Sequence, residues 1–535
     1  VTMPSSESRI LAQQVSRAAF WNVVLLPLLG MFNLAFSVLI RRRFGLLSGI
    51  YDILLGLMSV LLHYSSVGIP TGLSKFLPEI GAASGSRSLR RFLRHAVLVR
   101  LLLLGLLLIP LNFFAELISQ RLEFGSSGVT YIRLLSGLAV ARAIMGLVVT
   151  TLNAFFAQVW SNLFSLAQAA LELGLVGLIL LLGYEMEGVL SGLLVSAVAV
   201  SFFAAGRVTR ELPGADQMGG VDEAAPQGEV ESGKLFEGEA RRFFFFSGFT
   251  YVFGLTTVFA DMGFAAPALA VILAPEQVAL FATAFKLSLM TVGLVVAGFR
   301  GVYRPLFARL RIRNNPEELR QAFTAVSKAQ LVVLVPAGVG LMVMCGDFIP
   351  LLFGAEFLPS VPIAWVLVAF MYSATAFNLP EIILSVDEQY RALGWARAVF
   401  LISVPLFVVV AAVYGLVGAA AVLGGARFVP SFWCYLVSRR LYGIRFPWKF
   451  VGRIAIVSGL MGAVLIVARV TWMTSPFEAV TLTVVGVLVY CIGLRITKAL
   501  GSDEVDLLQR IDFPGQKILV AWLAPSLVAS RRLSR

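Results

Sequence analysis

Residues 93–118 read LRHAVLVRLLLLGLLLIPLNFFAELI, and this stretch decides the class of fold. Its apolar residues run almost continuously and do not alternate with polar ones. Its length exceeds the roughly 20 residues that a helix needs to cross a bilayer. Backbone groups in hydrocarbon must find hydrogen bonds within their own segment, so a run of this kind predicts a membrane-spanning helix.

The composition of the whole chain agrees with that stretch. Hydrophobic residues make up 59% of the 535 residues and charged residues only 14%, whereas soluble domains carry about 25% charged residues. The mean hydropathy is +0.88. We therefore predict an all-α polytopic membrane protein with about 14 transmembrane helices. The predicted spans are 17–40, 45–70, 93–118, 129–152, 158–183, 186–208, 243–268, 275–300, 322–346, 359–384, 392–414, 415–438, 450–472 and 476–499.

The chain is strongly basic, with a formal net charge of +13 and an isoelectric point near 10. Most of the 43 Lys and Arg residues lie between apolar segments, on the side of the membrane that also carries both termini. The positive-inside rule therefore predicts a cytoplasmic (inner) membrane protein with cytoplasmic termini, and nucleic acid is not needed to explain the charge. Arg41, Arg42 and Arg43 fall on the outer side, where we expect them to neutralise lipid phosphate.

The cysteines and histidines are too few and too scattered for several kinds of site. Cys345, Cys434 and Cys491 lie far apart within apolar runs, which predicts packed thiols and no disulfide. The two histidines, His63 and His95, are too few for a typical zinc or haem site. We therefore expect no metal centre and no cofactor.

Residues 209–241 differ in kind from the rest of the chain. They are rich in Gly, Glu, Asp and Pro without apolar periodicity, which predicts a flexible cytoplasmic linker. Residues 228–234 spell the P-loop pattern G-x-x-x-x-G-K, but Leu235 stands where Ser or Thr is needed, so we interpret this match as a coincidence. The predicted domains are an N-terminal six-helix lobe 1–208, the linker, a C-terminal six-helix lobe 242–440, two extra helices 441–499 and a cytoplasmic amphipathic tail 500–535.

The two predicted lobes resemble each other in sequence. An offset of 230 residues aligns FGLLSGIYDILLGLMS (44–59) with the stretch that ends EQVALFATAFKLSLM (276–290). The same offset places Leu89-Arg90 on Leu319-Arg320. Internal repeats are frequent in transporters, and their substrate site lies between the repeats. We therefore predict two pseudo-symmetric lobes around a central cavity.

Ionisable side chains within the predicted spans need an explanation, because each costs about 2.5–3.5 kcal/mol at mid-bilayer. Arg142, Lys286 and Arg427 lie near the middle of their spans, as does Glu172 in the fifth. The repeat offset pairs Lys286 with Gly56 of the second span. The cations nearer to span ends are expected to extend to the membrane interface. They are Arg100, Arg133, Lys328 and Arg397.

Polar residues of the second span recur at helical spacing. Asp52, Gly56, Ser59, His63 and Ser66 fall at i, i+4, i+7, i+11 and i+14, which places them on one face. A polar face of this kind is costly in contact with lipid, so we expect it to line a cavity or to contact another helix.

The first and seventh spans carry similar polar faces. Asn22 and Asn33 share a face of the first span. Thr250, Thr257 and Asp261 share a face of the seventh. Together with the second and eighth spans, four spans thus carry polar residues that we expect to face a cavity or another helix.

Six short motifs carry a resemblance to a known family. In the first half they are RRRFGLLSGIYDIL (41–54) and GIPTGLSKFLPEI (68–80). In the second half they are LAPEQVALFATAFKLSLM (273–290), GVYRPLFARL (301–310), PEELRQAF (316–323) and FIPLLFGAEFLPSVP (348–362). Over residues 17–440 the chain resembles the polysaccharide transporter (O-antigen flippase) family of the multidrug/oligosaccharidyl-lipid/polysaccharide exporter superfamily.

The resemblance implies a cavity lined largely by the first, second, seventh and eighth spans. It also implies flipping of polyprenyl-diphosphate-linked oligosaccharides from the inner to the outer leaflet, by alternating access, for cell-surface polysaccharide synthesis. A lipid diphosphate carries about two negative charges, which fixed cations suit. We therefore expect Lys286 and Arg142, with Arg427, to bind it. The polar residues expected to line the cavity are Asn22, Asn33, Ser59, His63, Thr250 and Thr257.

The same ionisable residues have alternative roles. Lys286 and Arg142 are alternatively members of buried ion pairs with acids such as Asp52, Glu172 or Asp261. These three acids are also the candidates for binding a proton or Na⁺ that drives transport.

Two other functions compete with a flippase. The first is a cation-coupled multidrug and toxin extrusion antiporter of the same superfamily. Twelve spans and an acidic cluster in the N-terminal lobe would favour that function. A membrane-embedded polymerase or glycosyltransferase needs an exposed catalytic domain, and the predicted outer loops are too short for one. We therefore expect a transporter and not an enzyme. Its expected partners are lipid-linked oligosaccharide, membrane lipids and other polysaccharide-assembly membrane proteins.

Overall fold

The computed structural model describes residues 25, 27–155, 157–211, 243, 247–248, 251, 256–313, 315–472 and 478–497. Within these residues every regular element is a helix, which confirms the predicted all-α class. The chain divides into two compact units, Val1–Ala279 and Leu280–Arg535. That division falls inside a helix, and the domain boundaries read from the sequence stay a prediction. The linker beyond Glu211 and the tail 500–535 lie outside the described residues.

The first unit is built around a long helix, α5 (Gly128–Ala154), which packs against both α3 (Ile69–Phe113) and α7 (Met186–Glu211). In the same unit α2 (Ser48–Tyr64) packs against α8 (Met262–Ala270). A short 3-10 turn, Gly45–Leu47, joins α1 to α2, and another, Thr256–Ala260, precedes α8. The helices of this unit are α1 over residues 27–44, α2 Ser48–Tyr64, α3 Ile69–Phe113, α4 Ala115–Arg121, α5 Gly128–Ala154, α6 Gln158–Leu181, α7 Met186–Glu211 and α8 Met262–Ala270.

The second unit is built on α13, which packs against α11 and α12, and on α10, which packs against α14. The last two helices, α14 and α15, pack against each other and on α10. Tyr490 of α15 donates a hydrogen bond to the Val332 carbonyl of α10 at 2.7 Å. The helices are α9 Pro275–Arg313, which crosses the division between the units, α10 Pro316–Leu352, α11 Val361–Ala376, α12 Leu379–Val386, α13 Tyr390–Tyr442, α14 Trp448–Trp472 and α15 Glu478–Ile496.

Local signals in the sequence explain several helix ends. The Asn315 side chain accepts hydrogen bonds from the amides of Glu317 and Glu318, at 3.1 and 3.4 Å, and Pro316 occupies the first position of α10. Asp261 caps α8 by accepting from the Met262 amide at 2.8 Å. α13 ends at Gly443, whose φ of 67° is left-handed and is favourable for glycine.

Eleven helices in the described part of the chain are long and apolar enough to cross a membrane. Pro27–Tyr64 covers the first two predicted spans, with the turn Gly45–Leu47 between them. Tyr390–Tyr442 covers two more, which meet at Gly415, where φ 64° and ψ −154° are not helical. The other nine helices each correspond to one predicted span. The predicted seventh span lies partly outside the described residues.

One face of α3 shows how these helices meet lipid. Leu98, Leu102, Leu106, Ile109 and Phe113 recur at intervals of three or four residues, and all are exposed in the protein. A continuous apolar face of this kind is unfavourable in water but is the surface that a hydrocarbon solvent requires. The chain is therefore a multi-pass membrane protein.

Candidate functional site

A buried ion pair joins the end of α1 to the start of α2. Arg41 Nη2 lies 2.9 Å from Asp52 Oδ2, and the two side chains are 0% and 2% exposed. Arg41 Nη1 also donates to Ser37 Oγ at 2.9 Å. The prediction that Arg41 neutralises lipid phosphate is therefore wrong, because its charge is satisfied inside the protein. Hydropathy could not reveal this, since Arg41 stands beside two other arginines in a loop-like sequence.

A second ion pair joins α5 to α6. Arg142 Nη2 lies 2.6 Å from Glu172 Oε1, and the same oxygen accepts a hydrogen bond from Gln168 Nε2 at 2.9 Å. Of the alternatives for Arg142, the structure contains the buried pair with Glu172. A substrate anion would have to compete with that carboxylate in order to bind Arg142 in this conformation.

Tyr51 connects the two pairs. Its ring is buried, and its phenol lies within electrostatic range of all four charged groups. We call Arg41, Asp52, Arg142, Glu172 and Tyr51 the inner charge network. The formal charges of the network cancel, which reduces the free-energy cost of burying it.

The polar face of α2 contacts α8 along its middle. A Cβ on Gly56 would lie 2.6 Å from Pro267 Cδ, and a Cβ on Gly263 would lie 2.5 Å from Ser59 Oγ. Of the two alternatives for this face, Gly56 and Ser59 therefore contact another helix. Small groups at both positions let the two backbones approach closely.

The end of α2 is occupied by aromatic rings. The His63 ring stacks on Tyr251, with 6.1 Å between ring centroids, and the Tyr251 hydroxyl donates to the Tyr64 carbonyl at 3.0 Å. Ser66 Oγ donates to the His63 carbonyl at 2.7 Å. The His63 ring is thus held in place by packing on the Tyr251 ring.

The remaining candidates of the first unit are dispersed. Asn33 lies on an exposed face of α1, and Asp261 is exposed and caps α8. Thr257 belongs to the 3-10 turn Thr256–Ala260. Asn22 and Thr250 lie outside the described residues.

The two candidate cations of the second unit lie on α9 and α13. Lys286 is half-buried on α9, directly after the buried Phe285. The Arg427 guanidinium of α13 lies over the Phe285 ring, 5.3 Å from its centroid. Cation–π contact of this kind attracts a guanidinium to the face of an aromatic ring. α13 therefore contacts α9 at Phe285, the residue directly before Lys286.

Arg100 is a residue whose setting the sequence did not reveal. It was expected to extend to the interface, but it is only 5% exposed, so that expectation is wrong. Nη2 donates to the Leu62 carbonyl at 3.4 Å, while Nε and Nη1 have no hydrogen-bond partner among the described residues. The rotation of α3 against α2 decides this burial, and hydropathy does not report that rotation.

The other interfacial cations behave differently from one another. Arg133 is exposed, as expected. Arg397 pairs with Glu381 at 2.8 Å, and Lys328 lies 5.6 Å from the Phe450 ring centroid. Their charge is therefore accommodated by acidic, aromatic or solvent contacts near the helix ends.

Side chains that could bind a metal ion do not form a cluster in the described part of the chain. No group of three or more His, Cys, Asp or Glu residues lies close enough there to hold a metal ion. The three cysteines are free thiols, and Cys345 and Cys434 are buried, as predicted.

Comparison with known proteins agrees with this architecture. Residues 238–362 match the family model described as "Polysaccharide biosynthesis protein". The fold is similar to that of the lipid II flippase MurJ in an inward closed conformation, with a TM-score of 0.68 and 17% identity. That match covers 90% of this chain and 98% of the flippase. No curated protein sequence matches the chain.

Two further solved structures share the fold. An inward-facing multidrug resistance MATE family transporter of the MOP superfamily gives a TM-score of 0.60 at 14% identity, covering 79% of this chain and 98% of that one. A MOP superfamily transporter from Pyrococcus furiosus gives 0.51 at 15% identity, covering 80% and 95%. The resemblance inferred from the sequence motifs is thus confirmed. The chain is a multi-pass helical protein with the fold of the MOP superfamily transporters, and its residues 238–362 match the polysaccharide biosynthesis protein family.

Proposed function

We propose that this protein is a flippase for polyprenyl-diphosphate-linked oligosaccharides. It would move them from the inner to the outer leaflet of the cytoplasmic membrane by alternating access, with both termini in the cytoplasm. The observation that carries this proposal is the combination of two matches in one chain. A polysaccharide biosynthesis family model covers residues 238–362, and the fold is similar to that of a lipid II flippase over 98% of the latter's length.

The proposed diphosphate ligands are Lys286 and Arg427. Their support is that each is a cation within a spanning helix, and that Arg427 packs on the ring of Phe285, the neighbour of Lys286 in sequence. A dianion gains most from two cations that are held in place before it binds. Arg142 is the weaker candidate, since Glu172 already accepts its hydrogen bond at 2.6 Å. It would contribute only in a conformation where Glu172 releases it.

Coupling to a proton or to Na⁺ is part of the same proposal. Asp52 and Glu172 are held by Arg41 and Arg142, so a driving cation would reach either acid only after its arginine moves away. Asp261 is exposed and is the more accessible of the candidate acids. A carboxylate that binds the arginine in one conformation and the driving cation in the other lets that cation shift the equilibrium between the two conformations.

A second candidate function is cation-coupled export of drugs. It is favoured by the similarity to a MATE family transporter at a TM-score of 0.60. Export of cationic drugs calls for acidic ligands in the cavity, whereas the candidate residues within spans of the second unit are the cations Lys286 and Arg427. A drug-accumulation assay in cells that lack their own exporters separates the two functions. Reduced drug accumulation without glycan delivery would favour the antiporter.

The experiment that tests the flippase is delivery of lipid-linked glycan to the outer leaflet, in cells lacking their own flippase and with protein levels matched. We expect Lys286→Arg to retain part of the transport, and Lys286→Ala and Lys286→Gln to lose at least about tenfold, because a charged hydrogen bond contributes about 1.5–3 kcal/mol. Lys286→Glu should be worst, since repulsion is added. Lys328→Gln, a neutralised lysine over the Phe450 ring, is the matched control. Full transport by Lys286→Ala would refute the diphosphate role.

A further inference from the structure

A cavity at one end of the second unit is lined by none of the candidate substrate or coupling residues. Its volume is about 350 Å³, within the range typical of small-molecule sites. It is formed by the last turns of α9 and α13, the first turns of α10 and the end of α12. The residues that line it are Phe307, Leu310, Arg311, Asn315, Pro316, Leu319, Arg320, Ile383, Val386, Asp387, Leu441 and Tyr442.

The charge of this lining is positive. Arg311 and Arg320 contribute two cations, and Asp387 contributes one anion. Asp387 is an ion-pair partner of Arg311, and it also accepts hydrogen bonds from Tyr442 Oη and from Gln389 Nε2, the latter at 2.9 Å. The carboxylate therefore keeps two donors when Arg311 turns toward another anion.

Arg320 is held in place by the end of α13. Its Nε donates to the Tyr442 carbonyl at 2.9 Å, and its Nη1 lies 3.4 Å from Glu317, an exposed acid. The guanidinium lies against Gly443, where a Cβ would be only 2.8 Å from Nη2. Glycine at this left-handed position thus lets the guanidinium lie flat across the helix end. A guanidinium that is fixed in this way loses little conformational entropy when it binds a ligand.

The position of the cavity identifies the environment of its ligand. α10, a membrane-spanning helix, begins at Pro316, and α13, another, ends at Tyr442. The predicted spans of these helices begin at 322 and end at 438, so the cavity lies within about 9 Å of the predicted hydrocarbon edge, at the depth of lipid headgroups. Half of its lining is apolar, from side chains such as Leu310, Leu319 and Leu441. Basic pockets between spans at this depth suit anionic headgroups, whose phosphate a guanidinium fork matches.

We propose that this cavity binds the headgroup phosphate of an anionic phospholipid, held between Arg311 and Arg320, with the apolar lining against the glycerol backbone and the first methylenes. The site is independent of the transported substrate. A lipid headgroup and a soluble phosphate would both offer phosphate oxygens to the two arginines. The apolar half of the lining favours the lipid over the soluble ion.

The test is native mass spectrometry of the full-length purified protein, titrated with phosphatidylglycerol or with phosphatidylcholine. We expect one phosphatidylglycerol to bind at least about tenfold more tightly than phosphatidylcholine, which is about 1.4 kcal/mol. Arg311→Gln with Arg320→Gln should remove that preference. The matched control is Arg439→Gln with Arg440→Gln, which removes two exposed cations of the last turn of α13 that do not line the cavity. The control should keep the preference.

A second variant keeps the test decisive if the double arginine variant fails to fold. Leu441 is 54% exposed, so Leu441→Trp can fill the cavity without changing its charge or disturbing a core. It too should lose the bound phosphatidylglycerol. Retention by both cavity variants, or equal loss in the control pair, would overturn the proposal. Displacement of the lipid by millimolar inorganic phosphate alone would also overturn it and would assign the cavity to a soluble phosphate.

Discussion

Replacing one partner of the buried pair of Arg41 and Asp52 should lower the free energy of unfolding by an amount that follows from the burial of the two side chains. Asp52→Asn leaves the Arg41 guanidinium at 0% exposure beside a neutral amide. Removing one partner of a buried pair costs about 3–5 kcal/mol, because the other charge stays desolvated. Arg41→Met should cost less, about 1–3 kcal/mol, because a carboxylate can take up a proton and a guanidinium cannot lose one.

The double variant isolates the interaction between the two residues. Arg41→Met with Asp52→Asn removes both charges, so we expect it to be more stable than Asp52→Asn alone. The coupling energy from the cycle should be at least about 2 kcal/mol, within the range for contacting residues. Asp261→Asn is the control, since Asp261 is exposed and asparagine caps a helix as well as aspartate does. It should change the free energy of unfolding by less than about 0.5 kcal/mol.

The assay is reversible unfolding by sodium dodecyl sulfate in mixed micelles, followed by tryptophan fluorescence. Transport is measured on the same variants. Additive effects in the cycle, or a cost below about 1 kcal/mol for Asp52→Asn, would refute the reasoning, because the pair would then be solvated. Transport that stays absent in a restabilised double variant would assign Asp52 to cation coupling and not to structure alone.

Three further predictions concern other parts of the chain. Gly49→Ala should abolish folding, because its Cβ would lie 1.7 Å from the Pro275 carbonyl oxygen. Gly105→Ala, whose Cβ would have nothing within 4 Å, should stabilise α3 by up to about 1 kcal/mol. Detergent unfolding measures both. Arg100→Met should raise the midpoint of thermal unfolding, since it removes a buried cation with two unpartnered nitrogens, and a lower midpoint would show that Arg100 holds a stabilising anion. Reporter fusions at Gly125 should indicate the outside and fusions at Gly443 the cytoplasm; the reverse result would overturn the proposed orientation.

Most of the fold followed from the sequence, because membrane insertion depends on a local sum of transfer free energies. Continuous apolar runs predicted the spanning helices, and thirteen of the fourteen predicted spans correspond to the eleven helices that the structure describes as long and apolar enough. The short joins between predicted spans were also visible, since α5 ends at Ala154 and α6 begins at Gln158, while Gly415 breaks α13. Glycine at position 415 takes a positive φ at little steric cost, a local rule that needs no tertiary context.

The candidate site was predicted less completely. The sequence alone determined which charged residues lie within spans and which of them share a helix face, because both follow from spacing along one helix. Only the tertiary structure decided their partners: Arg41 with Asp52, Arg142 with Glu172 and Arg427 with the Phe285 ring. The physical reason is that these contacts depend on how each helix is rotated against its neighbours. Hydropathy is nearly blind to that rotation, whereas a buried charge is strongly sensitive to it.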